Sequence, residues 1–150
     1  MNTDMPIFAE HHSSIGNAKA GTMASLIYIL VFLVSLAPYA EFIAWIIPLF
    51  FLYKEKDSEL VKFCAAQCLT LYFFTAFAHL LITFIPTVFS KPSSCVVIAF
   101  MNIAKDPFWS ILYILISLIT AILTFVCVKY AKSYSTYRLK FFCKFADRLM

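Results

Sequence analysis

Three long apolar runs dominate the pattern of hydrophobic and polar positions along the chain. Residues 24–53 contain one charged residue, Glu41, whereas residues 63–90 and 107–128 contain none. About 20 apolar residues in a helix are enough to cross the roughly 30 Å hydrocarbon core of a membrane. The pattern therefore predicts an integral membrane protein built from α-helices.

Prolines divide these runs into four predicted helices. Pro38 lacks a backbone donor and disfavours helix at the residue before it, so we expect the first run to break there. Asp106 followed by Pro107 is a typical helix start. The predicted helices cover residues 18–37, 39–53, 58–85 and 106–132. The second helix, of fifteen residues, spans only about 22 Å at 1.5 Å per residue, which is short for a full crossing.

Positive residues predict how the helices are oriented. With four helices, ten lysines and arginines fall on one side of the membrane, and Lys91 and Lys105 fall on the other. With three helices, the alternative, the split is nine to three because only Lys19 changes side. Since positive residues mark the cytoplasmic side, we predict a multi-pass protein of the plasma (inner) membrane with both termini cytoplasmic.

The predicted fold is an all-α membrane four-helix bundle with a short second helix and a C-terminal amphipathic surface helix. Its divisions are a flexible cytoplasmic N-terminus, a transmembrane helical domain and a basic amphipathic tail, covering residues 1–23, 24–132 and 133–150. The composition agrees, because 63% of the 150 residues are hydrophobic and 13% are charged, against about 25% charged in soluble domains.

The sequence shows no set of residues typical of an enzyme or a cofactor site. Cys64 and Cys68 lie four positions apart on one helical face, but two thiols fill only half of a tetrahedral metal site. The five cysteines are scattered along the chain, which does not indicate a disulfide framework. We therefore expect neither catalysis, nor a cofactor, nor a bound metal.

His79 is the one ionisable side chain predicted in mid-membrane, and such groups are functional candidates. A proton relay needs a second ionisable group at the same depth, whereas Glu41 is expected at the outer interface. This favours a structural hydrogen bond for His79. The alternative is a polar path along the third predicted helix, formed by Gln67, Thr75, His79 and Thr83.

The fourth predicted helix carries a seam of small and polar residues. Ser110, Ser117 and Thr124 recur every seven residues, with Ala121 and Cys127 beside them. Such residues hold helices together in lipid, so the seam is expected to face another helix. Only two glycines are present, and close packing through glycine is not expected.

Two charged segments are expected on the cytoplasmic side. The hinge YKEKDSELVKFCAAQC (residues 53–68) has a helix cap at Asp57 or Ser58, and its contact candidates are Lys54, Lys56, Ser58 and Phe63. The tail alternates aromatic and basic positions, which suits anionic lipid; an acidic protein partner is the alternative. Nucleic acid is not expected, because the aromatic face would be buried in lipid. The basic tail residues are Arg138, Lys140, Lys144 and Arg148.

The run IAWIIPLFFLYKEKDSELVKFCAAQCL (residues 43–69) resembles a family of small bacterial membrane proteins. That family is similar to the twenty-kilodalton subunit of the chloroplast inner-envelope protein-import translocon (Tic type). The match lies at Pro48, Leu49, Lys54, Lys56, Phe63, Ala65 and Gln67. Cys64, Ala66 and Cys68 stand where the family has His, Lys and Ala. The resemblance implies a four-helix membrane bundle and a link to protein translocation.

The expected function is therefore that of a non-enzymatic subunit or accessory factor of a membrane complex related to protein translocation. A small channel or transporter is the first alternative, and a lipid-contacting membrane scaffold is the second. The expected partners are the lipid bilayer and either a membrane protein or a second copy of this chain.

Overall fold

The computed structural model describes residues 8–15, 18–37, 40–89 and 107–135, with residues 86–89 described by their backbone alone. This part of the chain is all-helical, with no strand beyond an isolated bridge between His12 and Lys19. The helices are α1 Ala20–Ser35, α2 Glu41–Ala44, α3 Ile46–Lys54, α4 Glu59–Phe89 and α5 Pro107–Lys132.

The second predicted helix is present but divided, since α2 and α3 are separated at Trp45. Pro48 lies in α3, three residues after Trp45. It has no backbone N–H to donate to the carbonyl of Ala44, so the helical hydrogen bonding is interrupted there. The indole Nε1 of Trp45 donates to the carbonyl of Phe42 at 2.6 Å. With α2 and α3 taken together, the described chain forms four helices, as predicted.

The other predicted bounds agree with the structure to within a few residues, with one exception. Ser58 caps α4, because its Oγ accepts from the backbone N–H of Val61 at 3.2 Å. The prediction that this helix ends near Ile85 is wrong, since α4 continues to Phe89 through Pro86, as apolar helices can when neighbouring groups replace the lost hydrogen bond. The loop before α5 and most of the basic tail lie outside the described residues.

The α4 helix lies at the centre and packs against α1, α3 and α5, while α1 also packs against α5. Small side chains let these helices approach closely, among them Ala24, Ala65 and Ala131. A Cβ added at Gly21 would lie 2.9 Å from the carbonyl oxygen of Ala131. The expectation that glycine plays no part in close packing is therefore wrong at this position.

The outward faces of the helices are apolar. In α5 the exposed side chains include Ile111, Ile114, Leu118, Ile122 and Phe125. Within the described part of the chain, two stretches are long and apolar enough to cross a membrane by length and composition, Glu59–Ile85 and Pro107–Lys132. The remaining helices are shorter, and α1 has 16 residues.

The bundle has two distinct ends. The start of α1, the end of α3, the start of α4 and the end of α5 form one, which we call the Glu55 end. The end of α1 and the start of α2 lie at the opposite end, which we call the Glu41 end. Each end buries the glutamate that gives it its name.

Candidate functional site

A cavity of about 250 Å³ lies at the Glu41 end, between α1, α4, α5 and the start of α2. Its apolar wall includes Phe32 of α1 and Ala76 of α4. Leu36 and Ala37, which follow α1, also line the cavity and are exposed. The cavity therefore reaches the surface of the protein beside the α1–α2 connection.

Glu41 and His79 form an ion-pair geometry inside this cavity. The Nδ1 of His79 lies 2.7 Å from the Oε2 of Glu41, and the two side chains are only 2% and 12% exposed. The hydroxyl of Tyr113 donates to the other carboxylate oxygen, Oε1, at 2.6 Å. Both oxygens of Glu41 are thus bound by side chains that themselves carry exchangeable protons.

The imidazole of His79 is fixed on its remaining sides. Its ring stacks on Tyr113 with a centroid distance of 3.9 Å and an interplanar angle of 19°. Its Nε2 lies 3.3 Å from the Oγ of Ser117. We call Glu41, His79, Tyr113 and Ser117 the Glu41 cluster.

The depth of the Glu41 cluster follows from the unequal lengths of the helices. From His79, α4 continues for ten residues to Phe89, or about 15 Å at 1.5 Å per residue. Tyr113 lies six residues after the start of α5, or about 9 Å from it. The α1–α2 connection lies at the level of the cluster, so α4 and α5 extend beyond it and leave the cavity recessed.

The expectation that Glu41 lies apart from His79 is therefore wrong. The prediction placed each residue by its distance along the chain, but the recessed connection brings Glu41 to the depth of His79. The lone charge in residues 24–53 was the signal that could have revealed the pair. Tyr113 was missed because a tyrosine in an apolar run looks like a packing residue. Its spacing to Ser117 and Thr124 was the usable signal.

A polar ladder joins α4 to α5 from the floor of the cavity, which Tyr72, Thr75 and Thr120 line, towards the Glu55 end. Its hydrogen bonds are Thr75 Oγ1 to Thr120 Oγ1 at 3.0 Å, Tyr72 OH to Thr124 Oγ1 at 3.1 Å and Gln67 Nε2 to Cys127 Sγ at 3.8 Å. The predicted seam thus contacts α4 through Ser117, Thr124 and Cys127, and the sequence prediction missed Thr120.

The four residues of the predicted polar path do not lie together. Thr75 and His79 line the cavity, but Gln67 and Thr83 do not. Gln67 precedes Thr75 by eight residues, or about 12 Å along α4. The hydroxyl of Thr83 donates to the backbone carbonyl of His79 at 2.7 Å. Gln67 is therefore part of the ladder, as the packing interpretation predicted.

A second buried glutamate, Glu55, lies at the opposite end and accepts five hydrogen bonds. Its donors are Ser13 Oγ, Ser14 N at 3.0 Å, Ser14 Oγ at 2.7 Å, Asp57 N at 3.2 Å and Ser58 N at 3.1 Å. Burial acts to raise the pKa of Glu55, but the hydrogen bonds from Ser13, Ser14 and Ser58 outweigh it and lower the pKa to about 2. We call Ser13, Ser14, Glu55 and Ser58 the Glu55 cluster.

The segment before α1 lies across this end. The Nε2 of His11 is 2.7 Å from the Oγ of Ser58, and the backbone N–H of Phe8 donates to the carbonyl of Tyr134 at 2.8 Å. Residues 20–23 belong to α1, and Ser13 and Ser14 bond to Glu55 of the hinge. The predicted flexibility of residues 1–23 stays a prediction.

The predicted contact residues of the hinge separate into two groups. Lys54 and Lys56 are exposed, whereas Ser58 and Phe63 are 0% and 4% exposed. Phe63 therefore packs inside the bundle and cannot offer its side chain to a partner. The basic tail residues Arg138, Lys140, Lys144 and Arg148 lie outside the described residues, and lipid binding by the tail stays a prediction.

The described cysteines, Cys64, Cys68 and Cys127, are thiols buried in the bundle. Among the described residues, no group of three or more His, Cys, Asp or Glu side chains could hold a metal ion. No family model, no curated protein and no solved structure matches this chain.

Proposed function

We propose that this protein is a small, non-enzymatic multi-pass membrane transporter in which the recessed cavity binds a polar solute. The observation that carries the proposal is the Glu41–His79 pair, which lines a cavity among apolar helices. Charged groups are costly in such surroundings and are typically kept at solute or proton pathways. A protein needing only a stable bundle could fill the same space with apolar side chains.

The surface of the bundle supports its placement in a membrane. Large apolar side chains are exposed on α1, α4 and α5, including Leu33, Phe77 and Leu118. In water such a surface would favour aggregation, whereas lipid solvates it. We place the Glu55 end, with Lys54 and Lys56, at the cytoplasmic face of the plasma membrane.

The recessed position of the cavity supports access from the opposite face. The described part of the connection after α1 lies below the tips of α4 and α5, which supports an approach of water and solutes to Glu41 from this face. Towards the Glu55 end, the cavity is followed by the polar ladder and a packed core of small residues. A transporter closed on its cytoplasmic side would have such an arrangement, because transport requires access from one face at a time.

The proposal is tested with purified protein in liposomes. Radiolabelled small cations, amino acids and small anions are applied in turn, and their uptake into the liposomes is counted after rapid filtration. We expect at least one class to show an uptake that Glu41→Gln abolishes. Glu59→Gln is the matched control, since Glu59 is exposed at the other end of the bundle. If no class is taken up faster than by protein-free liposomes, the proposal is wrong.

A role as an accessory subunit in protein translocation is a second proposal. The hinge residues that resemble the Tic-type family support it, together with the exposure of Lys54 and Lys56. A photocrosslinking probe belongs at Lys56, since Phe63 is buried. Adducts with many unrelated secreted chains would support translocation, and lipid adducts alone would contradict it.

A further inference from the structure

We propose that the cavity binds a small organic ammonium ion in exchange for a proton held by the Glu41 cluster. This inference rests on the proposed function, because it assigns the solute class to the same cavity. One cation replaces one proton. The hydrogen bonds of His79, the charge of the lining and the shape of the cavity support this exchange.

The hydrogen bonds around His79 fit two protonation states of its imidazole. The short distance between Nδ1 and the Oε2 of Glu41, 2.7 Å, requires a proton between these atoms. The Oγ of Ser117 is near both Nε2, at 3.3 Å, and the carbonyl oxygen of Tyr113, at 3.0 Å. A serine hydroxyl has one hydrogen to donate and can also accept.

The position of that one hydrogen therefore follows the charge of the imidazole. When Ser117 donates to the carbonyl of Tyr113, it accepts from Nε2–H, and His79 is the doubly protonated cation. When Ser117 turns its hydrogen to Nε2, the imidazole is neutral and Nδ1–H still bonds to Glu41. A rotation of one hydroxyl satisfies both states, so the proton can leave without breaking the cluster.

The charge of the cavity lining favours a cation. The titratable groups facing the pair are Tyr113 from α5 and Tyr72 from α4, while α1 contributes Phe32 and Ser35. Among the residues that the structure describes, neither a lysine nor an arginine lines the cavity. With His79 protonated the site is neutral, and with His79 neutral it has one negative charge. A cation that replaces the proton restores neutrality, whereas an anion would meet the carboxylate of Glu41.

The apolar wall of the cavity favours an organic cation over an inorganic one. An inorganic ion must replace its hydration shell with several oxygen atoms, yet Phe32, Leu36 and Ala76 form much of the wall. A methylated ammonium ion presents apolar surface to such a wall, and aromatic rings attract it through their faces. Phe32 and Tyr72 supply two aromatic rings to the lining. The lining thus combines a carboxylate, aromatic rings and aliphatic groups.

The volume limits the size of the ion. At about 250 Å³, the cavity is smaller than the roughly 300–1,000 Å³ of sites for drug-sized ligands. Choline and tetramethylammonium are of a suitable size, whereas bulky aromatic cations are not. The exchange is balanced in charge, because one cation enters beside Glu41 and one proton leaves Nε2 of His79 for water. The N–H bond at Nε2 is the one covalent bond that breaks.

The test uses the full chain in detergent, in weakly buffered solution near neutral pH, with choline chloride and a pH-indicator dye. We expect saturating choline to release up to one proton per protein. His79→Gln should bind choline without releasing a proton, and Glu41→Gln should do neither. His12→Gln and Glu59→Gln are matched controls, as both residues are exposed, and should behave as the unmodified protein.

A second measurement needs no variant. Proton and choline binding to one site are reciprocally linked, so lowering the pH should weaken choline binding, by up to about tenfold per pH unit. Calorimetry at several pH values measures this change. Choline binding that is independent of pH and releases no proton would overturn the exchange. Sodium chloride giving the same release as choline would overturn the assignment to organic cations.

These results are distinguishable from those of the liposome test. Choline-dependent proton release in detergent, with no choline uptake into liposomes, would contradict transport and support the exchange site. Choline uptake without proton release would support transport and overturn the exchange. Uptake of another solute class and no choline binding would overturn the proposed ligand.

Discussion

The two glutamates inside the bundle, one at each end, differ in the groups that hold them. Glu55 accepts from serine hydroxyls and backbone amides, which keep one charge state at ordinary pH. Glu41 accepts from the imidazole of His79 and the phenol of Tyr113. An imidazole, unlike a serine hydroxyl or a backbone amide, can hold one proton or two.

This difference indicates different roles for chemically identical side chains. The five donors around Glu55 stabilise its negative charge and join the segment before α1 to the hinge, which is a structural task. The Glu41 cluster lines a cavity and includes a partner whose charge can change, which suits binding and exchange. The kind of partner, and not the burial of the glutamate, distinguishes the two ends.

The largest effect expected from this comparison is on the stability of the Glu55 end. Glu55→Gln removes the negative charge that five hydrogen bonds stabilise and replaces one acceptor oxygen with an amide donor. The bonds that remain lose their charge assistance, and hydrogen bonds to charged groups contribute about 1.5–3 kcal/mol each, so we expect a loss of about 3 kcal/mol in the free energy of unfolding. The midpoint of thermal unfolding, followed by circular dichroism in detergent, should fall by about 10 °C.

Glu41→Gln and Glu59→Gln make this measurement a comparison. Gln at position 41 still accepts through its carbonyl oxygen from Tyr113, so we expect a smaller loss of about 1 kcal/mol. Glu59 is exposed, and its variant should unfold at the same temperature as the unmodified protein. An order in which Glu41→Gln is the least stable would contradict the division of roles.

The second prediction concerns acid pH. The hydrogen bonds that outweigh burial hold the pKa of Glu55 at about 2, below its ordinary value of 4.5. A carboxyl group with a lowered pKa contributes stability that is complete above its ordinary pKa and is lost as the pH falls towards the folded value. The unfolding midpoint should therefore fall between about pH 4.5 and pH 2.

Other carboxyl groups also titrate in this range, so the difference between two proteins is the useful quantity. The gap in unfolding midpoint between the unmodified protein and Glu55→Gln should be widest near neutral pH and should narrow in acid. A gap that stays constant down to pH 3 would show that Glu55 is not stabilised as an anion.

The third prediction separates ring stacking from hydrogen bonding in the Glu41 cluster. Tyr113→Phe keeps the ring that stacks on His79 and removes the hydroxyl that donates to Glu41. The loss of one such hydrogen bond is worth about 1 kcal/mol, so choline affinity should change by about fivefold. Tyr72→Phe is the matched control, because the hydroxyl of Tyr72 bonds to Thr124. Equal changes in both variants would contradict a specific role for Tyr113.

The helices and the seam on α5 were predictable because both are local features of the sequence. The end of α1 follows from Pro38, and the start of α5 follows from Pro107. The contacts of Thr124 and Cys127 follow from helical spacing. The pairing of Glu41 with His79 was not predictable in this way. It depends on where the α1–α2 connection lies relative to α4, which tertiary packing determines.

The Glu55 cluster shows the same limit. Within the hinge, Glu55 stands between Lys54 and Lys56, which predicts a solvated residue with ion-pair partners. In the structure its carboxylate turns inward because Ser13 and Ser14, 42 and 41 positions away, supply donors. No periodicity connects the two segments, so the sequence alone could not reveal their contact.

The smallest expected effect distinguishes the Glu41 cluster from the polar ladder below it. Thr124→Val keeps the shape of the side chain and removes the hydroxyl that bonds to Tyr72. Hydrogen bonds between helices in membranes average about 0.6 kcal/mol, so the free energy of unfolding should fall by about that amount while choline affinity and proton release stay unchanged. Unfolding in mixed detergent together with the dye measurement checks both expectations. A loss of choline binding in this variant would extend the binding site down the α4–α5 interface and remove the distinction between the ladder and the cluster.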